Sequence, residues 1–173
     1  MEIVLMGYMG SGKSTIGKLL SEEKKITFID LDEYIEEKEK MSIKNIFKSK
    51  GEIYFRLKEA EYLKEILDTK RNYVLSLGGG TPCYGKNLTI IKQSNSTTFY
   101  LKSSILTLFN RLRNSNTSRP LIDGLSDQQL QEYLGKHLFE RAPFYESSMH
   151  KIQVDNITVK EITNNITTIL NTQ

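Results

Sequence analysis

The sequence predicts an α/β fold in which a parallel sheet is covered by helices on both faces. Short apolar runs alternate with helical segments along the 173 residues, starting with a run at residues 2–6. Strands that alternate with helices in this way form parallel sheets, because each return to the sheet requires a crossover. A glycine-rich loop follows the first run, and Gly78, Gly79 and Gly80 follow a later one. Glycines at these positions indicate a ligand at the carboxyl edge of the sheet.

The composition is that of one ordinary soluble domain spanning residues 1–173, with 38% hydrophobic and 26% charged residues. The net charge of +3 is interspersed along the chain, which favours a small anionic ligand over nucleic acid. No apolar run approaches the ~18 residues of a membrane span. Because the glycine-rich loop starts at residue 7, no room remains before it for a leader. We therefore expect a cytoplasmic monomer without a nucleic-acid or membrane partner.

Residues 7–15 read GYMGSGKST and match the phosphate-binding pattern G-x-x-x-x-G-K-[ST]. Backbone N–H groups of such a loop, together with the start of the following helix, form a nest for phosphate. Lys13 is expected to reach the β- and γ-phosphates of a nucleotide, and Ser14 to bind Mg²⁺. A glycine-rich turn that merely joins a strand to a helix is the alternative. The expected nucleotide contacts are Gly10, Ser11, Gly12, Lys13, Ser14 and Thr15.

Asp30 and Asp32 follow the second predicted strand, at residues 26–29, and both carboxylates point to the same side. One could support the water shell of a metal ion, and the other could hold or deprotonate an acceptor hydroxyl. Alternatively, they are the N-cap and a first-turn acid of the helix that follows.

Two helices are predicted next, at residues 42–51 and 52–67, with a stop near Gly51. The second helix has an apolar stripe formed by Ile53, Leu57, Ala60, Leu63 and Leu67. Phe55 lies off that stripe, which suggests that it covers an apolar surface other than the main core.

Arg56 lies beside the stripe, with Glu52 four residues before it and Glu59 three residues after it. These spacings fit ordinary intrahelical ion pairs. Alternatively, Arg56 faces a ligand and the glutamates hold its guanidinium in place.

The strand at residues 72–77 runs into the glycine triplet, which suggests that backbone approaches a ligand closely there. No acid precedes the glycines, and Ser76 is the nearest polar residue. Asp30 is therefore the better candidate for supporting the metal.

Further helices are predicted at 86–93, 103–113, from 126, and at 159–170, with strands at 97–101 and 151–155. Pro143 is expected to kink or restart its helix. The polar stretch between the helices carries Arg119, which fits a lid that excludes water and neutralises charge, although a plain surface loop is equally consistent. His137 and His150 have no partner pattern and are interpreted as structural.

Several motifs in this order resemble the shikimate kinase family over essentially the whole chain. They are GYMGSGKST, Asp30-Leu31-Asp32, Gly51-Glu52 before Phe55-Arg56, Gly78-Gly79-Gly80, Arg119-Pro120-Leu121 and Arg141-Ala142-Pro143-Phe144-Tyr145.

The resemblance implies a P-loop kinase fold with a five-stranded parallel sheet of order 2-3-1-4-5 and a mobile lid. It also implies transfer of the ATP γ-phosphoryl group to the 3-hydroxyl of shikimate, with Mg²⁺ as cofactor. The acceptor segment is then about residues 32–60 and the lid about residues 114–124.

The resemblance also implies roles for individual residues. Lys13, Asp32 and Arg119 are the implied catalytic residues, and Asp30 organises Mg²⁺ beside Ser14. The implied substrate contacts are Asp32, Phe55, Arg56, Gly78, Gly79, Gly80 and Arg141. The family places an arginine before the lid to flank adenine, and Arg111 and Arg113 both compete for that role.

Other functions are weighed against this one. A kinase of the same fold could use gluconate or a nucleoside monophosphate as acceptor. A nucleotide switch should carry an N-K-x-D signature or a strong Walker-B acid, and the sequence has neither. A non-catalytic module would most simply have lost Lys13, Ser14 or Asp32, and all three are present.

Overall fold

The computed structural model describes residues 1–114, 122 and 124–172. Five strands form one parallel sheet with the order β2-β3-β1-β4-β5, so the expected order is confirmed. The strands are β1 (Glu2–Met6), β2 (Thr27–Asp30), β3 (Tyr73–Ser76), β4 (Thr97–Lys102) and β5 (His150–Gln153).

Helices connect the strands and cover both faces of the sheet. They are α1 (Lys13–Lys24), α2 (Leu31–Glu39), α3 (Ile43–Thr69), α4 (Asn87–Gln93), α5 (Ile105–Arg113), α6 (Asp127–Tyr145) and α7 (Val159–Asn171), with a short 3₁₀ helix at Thr81–Cys83. Within the described ranges, no helix combines the length and apolar character needed to cross a bilayer.

The sheet separates two hydrophobic cores, because successive strand residues point to opposite faces. Ile3 and Leu5 of β1 pack in the core that includes residues of α1 and α7. Val4 and Met6 pack in the other core, which includes residues of α2 to α6. All four side chains are 0–1% exposed, which explains why β1 is a continuous apolar run.

The strand register brings polar residues together at the carboxyl edge of the sheet. Asp30 at the end of β2 lies opposite Ser76 at the end of β3, and Ser76 lies opposite Leu5 of β1. The loop at residues 7–12 leaves the sheet at this same edge. The edge therefore joins the phosphate-loop motif to the acids after β2.

The predicted stripe on α3 is wrong in its first half. Ile53 is 80% exposed and Leu57 67% exposed. The buried side chains are instead those of Phe55, Glu59, Tyr62, Leu63, Ile66 and Leu67, after the earlier Ile46. The predicted stripe contains only apolar residues, whereas the buried face of α3 also contains Glu59.

Two expectations about helix breaks had different outcomes. The predicted stop near Gly51 is confirmed as a kink within α3, with φ 83° and ψ 170° at Gly51, a conformation that favours glycine. The restart expected at Pro143 does not occur, because α6 continues from Asp127 to Tyr145 with Pro143 inside it. Pro143 is exposed, and Phe139, whose carbonyl loses its helical donor, is 83% exposed, so water can replace that hydrogen bond.

One carboxylate spans the kink in α3. Glu39, at the end of α2, accepts hydrogen bonds from Tyr54 at 2.6 Å, Tyr62 at 2.7 Å and Lys50 at 3.1 Å. Lys50 precedes Gly51 and the two tyrosines follow it. The hydrogen bonds from Tyr54 and Tyr62, followed by that from Lys50, lower the pKa of Glu39 to about 2. Glu39 therefore fixes both arms of the bent helix to α2.

Replacing Glu39 by Gln should destabilise the fold by about 1–2 kcal/mol near neutral pH, because a neutral amide is a weaker acceptor for these donors. A depressed pKa stabilises the folded state above the unfolded value of about 4.3 and loses that effect as the pH falls towards 2. The stability difference between wild type and Glu39→Gln should therefore shrink between about pH 7 and pH 3.5. Urea unfolding at both pH values measures it, with the exposed Glu37→Gln as control. A difference that stays constant with pH would contradict this role of Glu39.

Candidate active site

The phosphate-loop motif folds as a glycine-dependent turn between β1 and α1. Gly10 has φ 82° and Gly12 has φ 100°, values that other residues rarely adopt. Gly12 caps α1, whose first turn follows directly. The Lys13 ammonium donates to the carbonyl oxygens of Gly7 at 2.9 Å and Tyr8 at 3.1 Å. The loop therefore places a buried cation and the N-terminus of a helix at one point.

A cleft of about 540 Å³ opens beside this loop. Its lining includes every residue predicted to contact the nucleotide in the stretch from Gly10 to Thr15. It also includes Asp30, Asp32, Gly78 and Gly79. The structure thus brings the loop, the two acids and the first two glycines of the triplet into a single cavity.

Ser14, Asp30 and Ser76 form an oxygen cluster on the wall of this cleft. The Ser14 hydroxyl donates to Asp30 Oδ2 at 2.8 Å, and its oxygen lies 3.5 Å from Ser76 Oγ. Asp30 Oδ1 accepts from the backbone N–H of Asp32 at 3.1 Å, so Asp30 is also the N-cap of α2. The functional and capping interpretations of Asp30 are therefore compatible, because its two oxygens have different partners.

Asp32 has an environment that favours its protonated form. Burial, followed by the nearby carboxylates of Asp30 and Glu59, raises the pKa of Asp32 to about 6, while Lys13 opposes the shift. A carboxyl with a pKa near neutrality can exchange a proton with a reacting hydroxyl. Asp32 therefore lies among two carboxylates and a lysine, and the carboxylates favour its protonated form.

The three glycines after β3 are required for space. A Cβ on Gly78 would lie 3.0 Å from Asp32 Oδ1 and 2.9 Å from Thr81 Oγ1. A Cβ on Gly79 would lie 3.2 Å from the backbone nitrogen of Met9. The triplet therefore packs directly against the phosphate loop and against Asp32.

Arg56 and Glu59 form a buried ion pair beside the triplet. Glu59 is 1% exposed, and its Oε2 accepts from Arg56 Nη1 at 2.9 Å. The other oxygen, Oε1, accepts from Thr81 Oγ1 at 2.7 Å. Arg56 also contacts Glu52 at 3.4 Å. Both of the expected acidic neighbours contact Arg56, and the buried Glu59 links it to the glycine triplet.

Arg141 reaches the same region from α6. Its guanidinium carbon lies 5.5 Å from the centroid of the Tyr8 ring. Burial raises the pKa of Cys83 to about 11, and the charges of Arg141 and Arg56 partly oppose that shift. The charges of Arg56 and Arg141 therefore both act on Cys83, which follows the glycine triplet in the 3₁₀ helix.

The remaining predicted residues fall into different places. Arg111 lines the cleft and donates to the carbonyl oxygens of Gly10 at 3.3 Å and Ser11 at 3.1 Å. Arg113 forms an exposed ion pair with Asp127, away from the cleft lining. Phe55 packs in the main core, with its ring centroid 5.0 Å from the Arg56 guanidinium carbon, so the expectation that it covers a different apolar surface is wrong. Arg119 lies outside the described residues, as does most of the expected lid.

Several residues of the site did not emerge from the sequence analysis. Thr81 directly follows the glycine triplet and Tyr84 comes three residues later, and the local sequence gives no sign of their contacts with Glu59 and Arg56. Tyr145 donates a hydrogen bond to the carbonyl oxygen of Gly79. Tyr145 ends the motif that begins at Arg141, but the motif assigns no contact or role to it.

Comparisons with known proteins identify the family of this chain. A family model described as shikimate kinase matches residues 9–171. Shikimate kinases of Flavobacterium johnsoniae and Flavobacterium psychrophilum are 46% and 41% identical over 169 residues, 98% of each chain. The crystal structure of shikimate kinase from Bacteroides thetaiotaomicron has a TM-score of 0.92 at 32% identity, covering 99% of this chain and 98% of that one.

A shikimate kinase from Acinetobacter baumannii, solved in complex with shikimate, has a TM-score of 0.86 at 29% identity. The alignment covers 99% of this chain and 93% of that one. The motifs, the strand order and the full-length similarity agree, and the chain belongs to the shikimate kinase family.

Proposed function

We propose that this chain transfers the γ-phosphoryl group of ATP to the 3-hydroxyl of shikimate. The observation that carries the proposal is the position of Asp32 at the junction of two sites. Asp32 lines the cleft beside the phosphate loop, and it also lies against Gly78, in the glycine triplet whose last member, Gly80, lies against Arg56. A carboxylate at that junction can meet an acceptor hydroxyl facing a nucleotide phosphate.

The donor half of the site binds and orients ATP. The loop N–H groups and the N-terminus of α1 favour the phosphates, and Lys13 adds a positive charge. Arg111, Ile157 and Val159 also line the cleft, which suits the flat and partly apolar adenine. In the reaction, the acceptor oxygen forms a bond to the γ-phosphorus while the bond to the β,γ-bridging oxygen breaks, and ADP leaves.

The oxygen cluster of Ser14, Asp30 and Ser76 fits Mg²⁺. This ion prefers oxygen donors and commonly uses one or two protein groups, with waters and substrate phosphates in its other positions. Ser14 would bind it directly, and Asp30 would hold it through water. Bound Mg²⁺ would neutralise part of the charge on the phosphates.

The acceptor half selects a small anion. Arg56 and Arg141 would hold the carboxylate of shikimate, a group that matches the fork of a guanidinium. Phe55 would support Arg56 from the core, and the triplet from Gly78 to Gly80 would line the space for the ring. Asp32 would bind the reacting hydroxyl and either accept its proton or orient it.

We propose one domain with an acceptor segment at about residues 32–60 and a lid at about residues 114–124, from which Arg119 would close over the phosphates. One chain supplies both the donor and the acceptor residues named above, which supports a monomer as the active form. We also propose that it acts in the cytoplasm.

A coupled assay of ADP release tests the substrate. ADP should form rapidly with ATP and shikimate and at no more than background rate without an acceptor, because the phosphoryl group needs the hydroxyl. Gluconate and AMP serve as competing acceptors, the first testing a sugar acid and the second a nucleotide. Equal ADP release without an acceptor, or release only with gluconate or AMP, would contradict shikimate as the substrate.

Asp32→Asn should lower kcat by at least about 100-fold, the usual contribution of a positioned acid or base, while ATP binding stays near the wild-type level. In the wild type, kcat/KM for shikimate should fall as the pH drops through about 6, because the raised pKa of Asp32 leaves the carboxyl protonated below that value. The variant should lack this limb. Glu33→Gln, an exposed neighbour, is the control. A variant that keeps nearly full activity would exclude this role for Asp32.

Ser14→Ala should raise the Mg²⁺ concentration needed for half-maximal activity by about 10-fold or more, because the variant loses a direct oxygen ligand. Titration of activity with Mg²⁺ after chelation measures this, with Ser21→Ala on the same helix as control. An unchanged Mg²⁺ requirement would show that Ser14 is not a ligand.

A further inference from the structure

The ring of Tyr84 stacks on the guanidinium of Arg56. The guanidinium carbon lies 3.7 Å from the ring centroid, which is contact distance for a cation on an aromatic face. Other stacked cations in the described residues are looser: Lys38 lies 5.2 Å from the Tyr34 ring and Lys58 lies 5.6 Å from the Tyr62 ring. The Tyr84–Arg56 contact is therefore the closest of these pairs.

The contacts of Arg56 leave the Nη2 nitrogen of its guanidinium available to a ligand. Nη1 donates to Glu59 and Nε to Glu52. Within the described part of the chain, no hydrogen bond from Nη2 occurs, although this nitrogen carries two N–H groups. A Cβ on Gly80 would lie 3.3 Å from Nη1, from Nη2 and from Tyr84 Cε2. Tyr84 and Gly80 thus enclose the end of Arg56 that is free to bind an anion.

We propose that Tyr84 is a positioning residue that fixes the guanidinium of Arg56 for the carboxylate of the acceptor. This inference rests on the proposed function, in which Arg56 binds that carboxylate. Glu59 holds Nη1 at 2.9 Å, whereas the exposed Glu52 holds Nε only at 3.4 Å, so these two in-plane partners fix the guanidinium weakly. The ring covers a face of the plane and limits its remaining motion.

The stack also reduces the cost of binding. An arginine side chain has several rotatable bonds, and ordering it when a ligand arrives lowers the affinity. A guanidinium already held between Glu59 and the Tyr84 ring needs less ordering. The effect belongs to acceptor binding, so it should appear in the KM and Kd for shikimate while leaving kcat and the KM for ATP unchanged.

Tyr84→Leu and Tyr84→Phe test the proposal. The leucine keeps an apolar side chain but loses the π face, and it should raise the KM and the calorimetric Kd for shikimate by roughly 3- to 30-fold. The phenylalanine keeps the face and should stay within about 2-fold of wild type. Tyr34→Leu removes a tyrosine stacked under Lys38 outside the site and should leave both constants unchanged.

A double-variant cycle with Arg56→Lys shows whether Tyr84 acts through Arg56. A lysine lacks the planar fork, so adding Tyr84→Leu to Arg56→Lys should lower kcat/KM for shikimate by less than about 2-fold further. A full further loss in that background would overturn the proposal.

Other outcomes also have definite meanings. If the wild type does not phosphorylate shikimate, the proposed function fails first. If it does, and Tyr84→Leu leaves the Kd for shikimate unchanged, only the role of Tyr84 fails. Equal losses in the leucine and phenylalanine variants would assign the effect to the hydroxyl, and a matching rise in the KM for ATP would indicate general structural damage. Either result would overturn the proposal.

Discussion

The acceptor side of the site depends on the buried carboxylate of Glu59. A charge that is 1% exposed is tolerated only when it is paired and hydrogen-bonded. Glu59 meets that condition with Arg56 on one oxygen and Thr81 on the other. The pairing fixes α3 against the segment after β3, and it sets the location of the positive charge of Arg56. Removing either partner would leave a buried anion next to Asp32, so these residues form a unit.

The sheet topology supplies the other half of the arrangement. Because all strands are parallel, their carboxyl ends meet at one edge, and the register places Asp30 opposite Ser76 there. The phosphate loop leaves β1 at the same edge. The residues that would bind ATP therefore lie at strand ends, whereas the arginines that would bind the acceptor lie on α3 and α6. The glycine triplet after β3 is the segment that touches both sets.

Much of the donor half could be predicted from the sequence, because its geometry is local. The pattern at residues 7–15 and the acids after β2 occupy short stretches with known backbone conformations. The acceptor half was harder, since its contacts join distant segments. The apolar pattern predicts that Ile53 and Leu57 face the core, because it does not anticipate the buried glutamate, Glu59, on the inner face of α3. Tyr84 carries no local signal at all, and its stacking on Arg56 exists only once α3 packs beside the 3₁₀ helix.

The electrostatics of Asp32 bear on how phosphoryl transfer would proceed. Burial and the carboxylates of Asp30 and Glu59 raise its pKa to about 6, and Lys13 opposes this shift. Nucleotide phosphates and an acceptor carboxylate would bring further negative charge, while Lys13 would turn towards the phosphates. Both changes would raise the pKa of Asp32, whereas Mg²⁺ held beside Asp30 would lower it and favour the carboxylate. A loose transition state demands little base strength at the attacking hydroxyl. Asp32 would therefore orient the hydroxyl early and accept its proton late, as the bond to phosphorus forms and the oxygen becomes acidic.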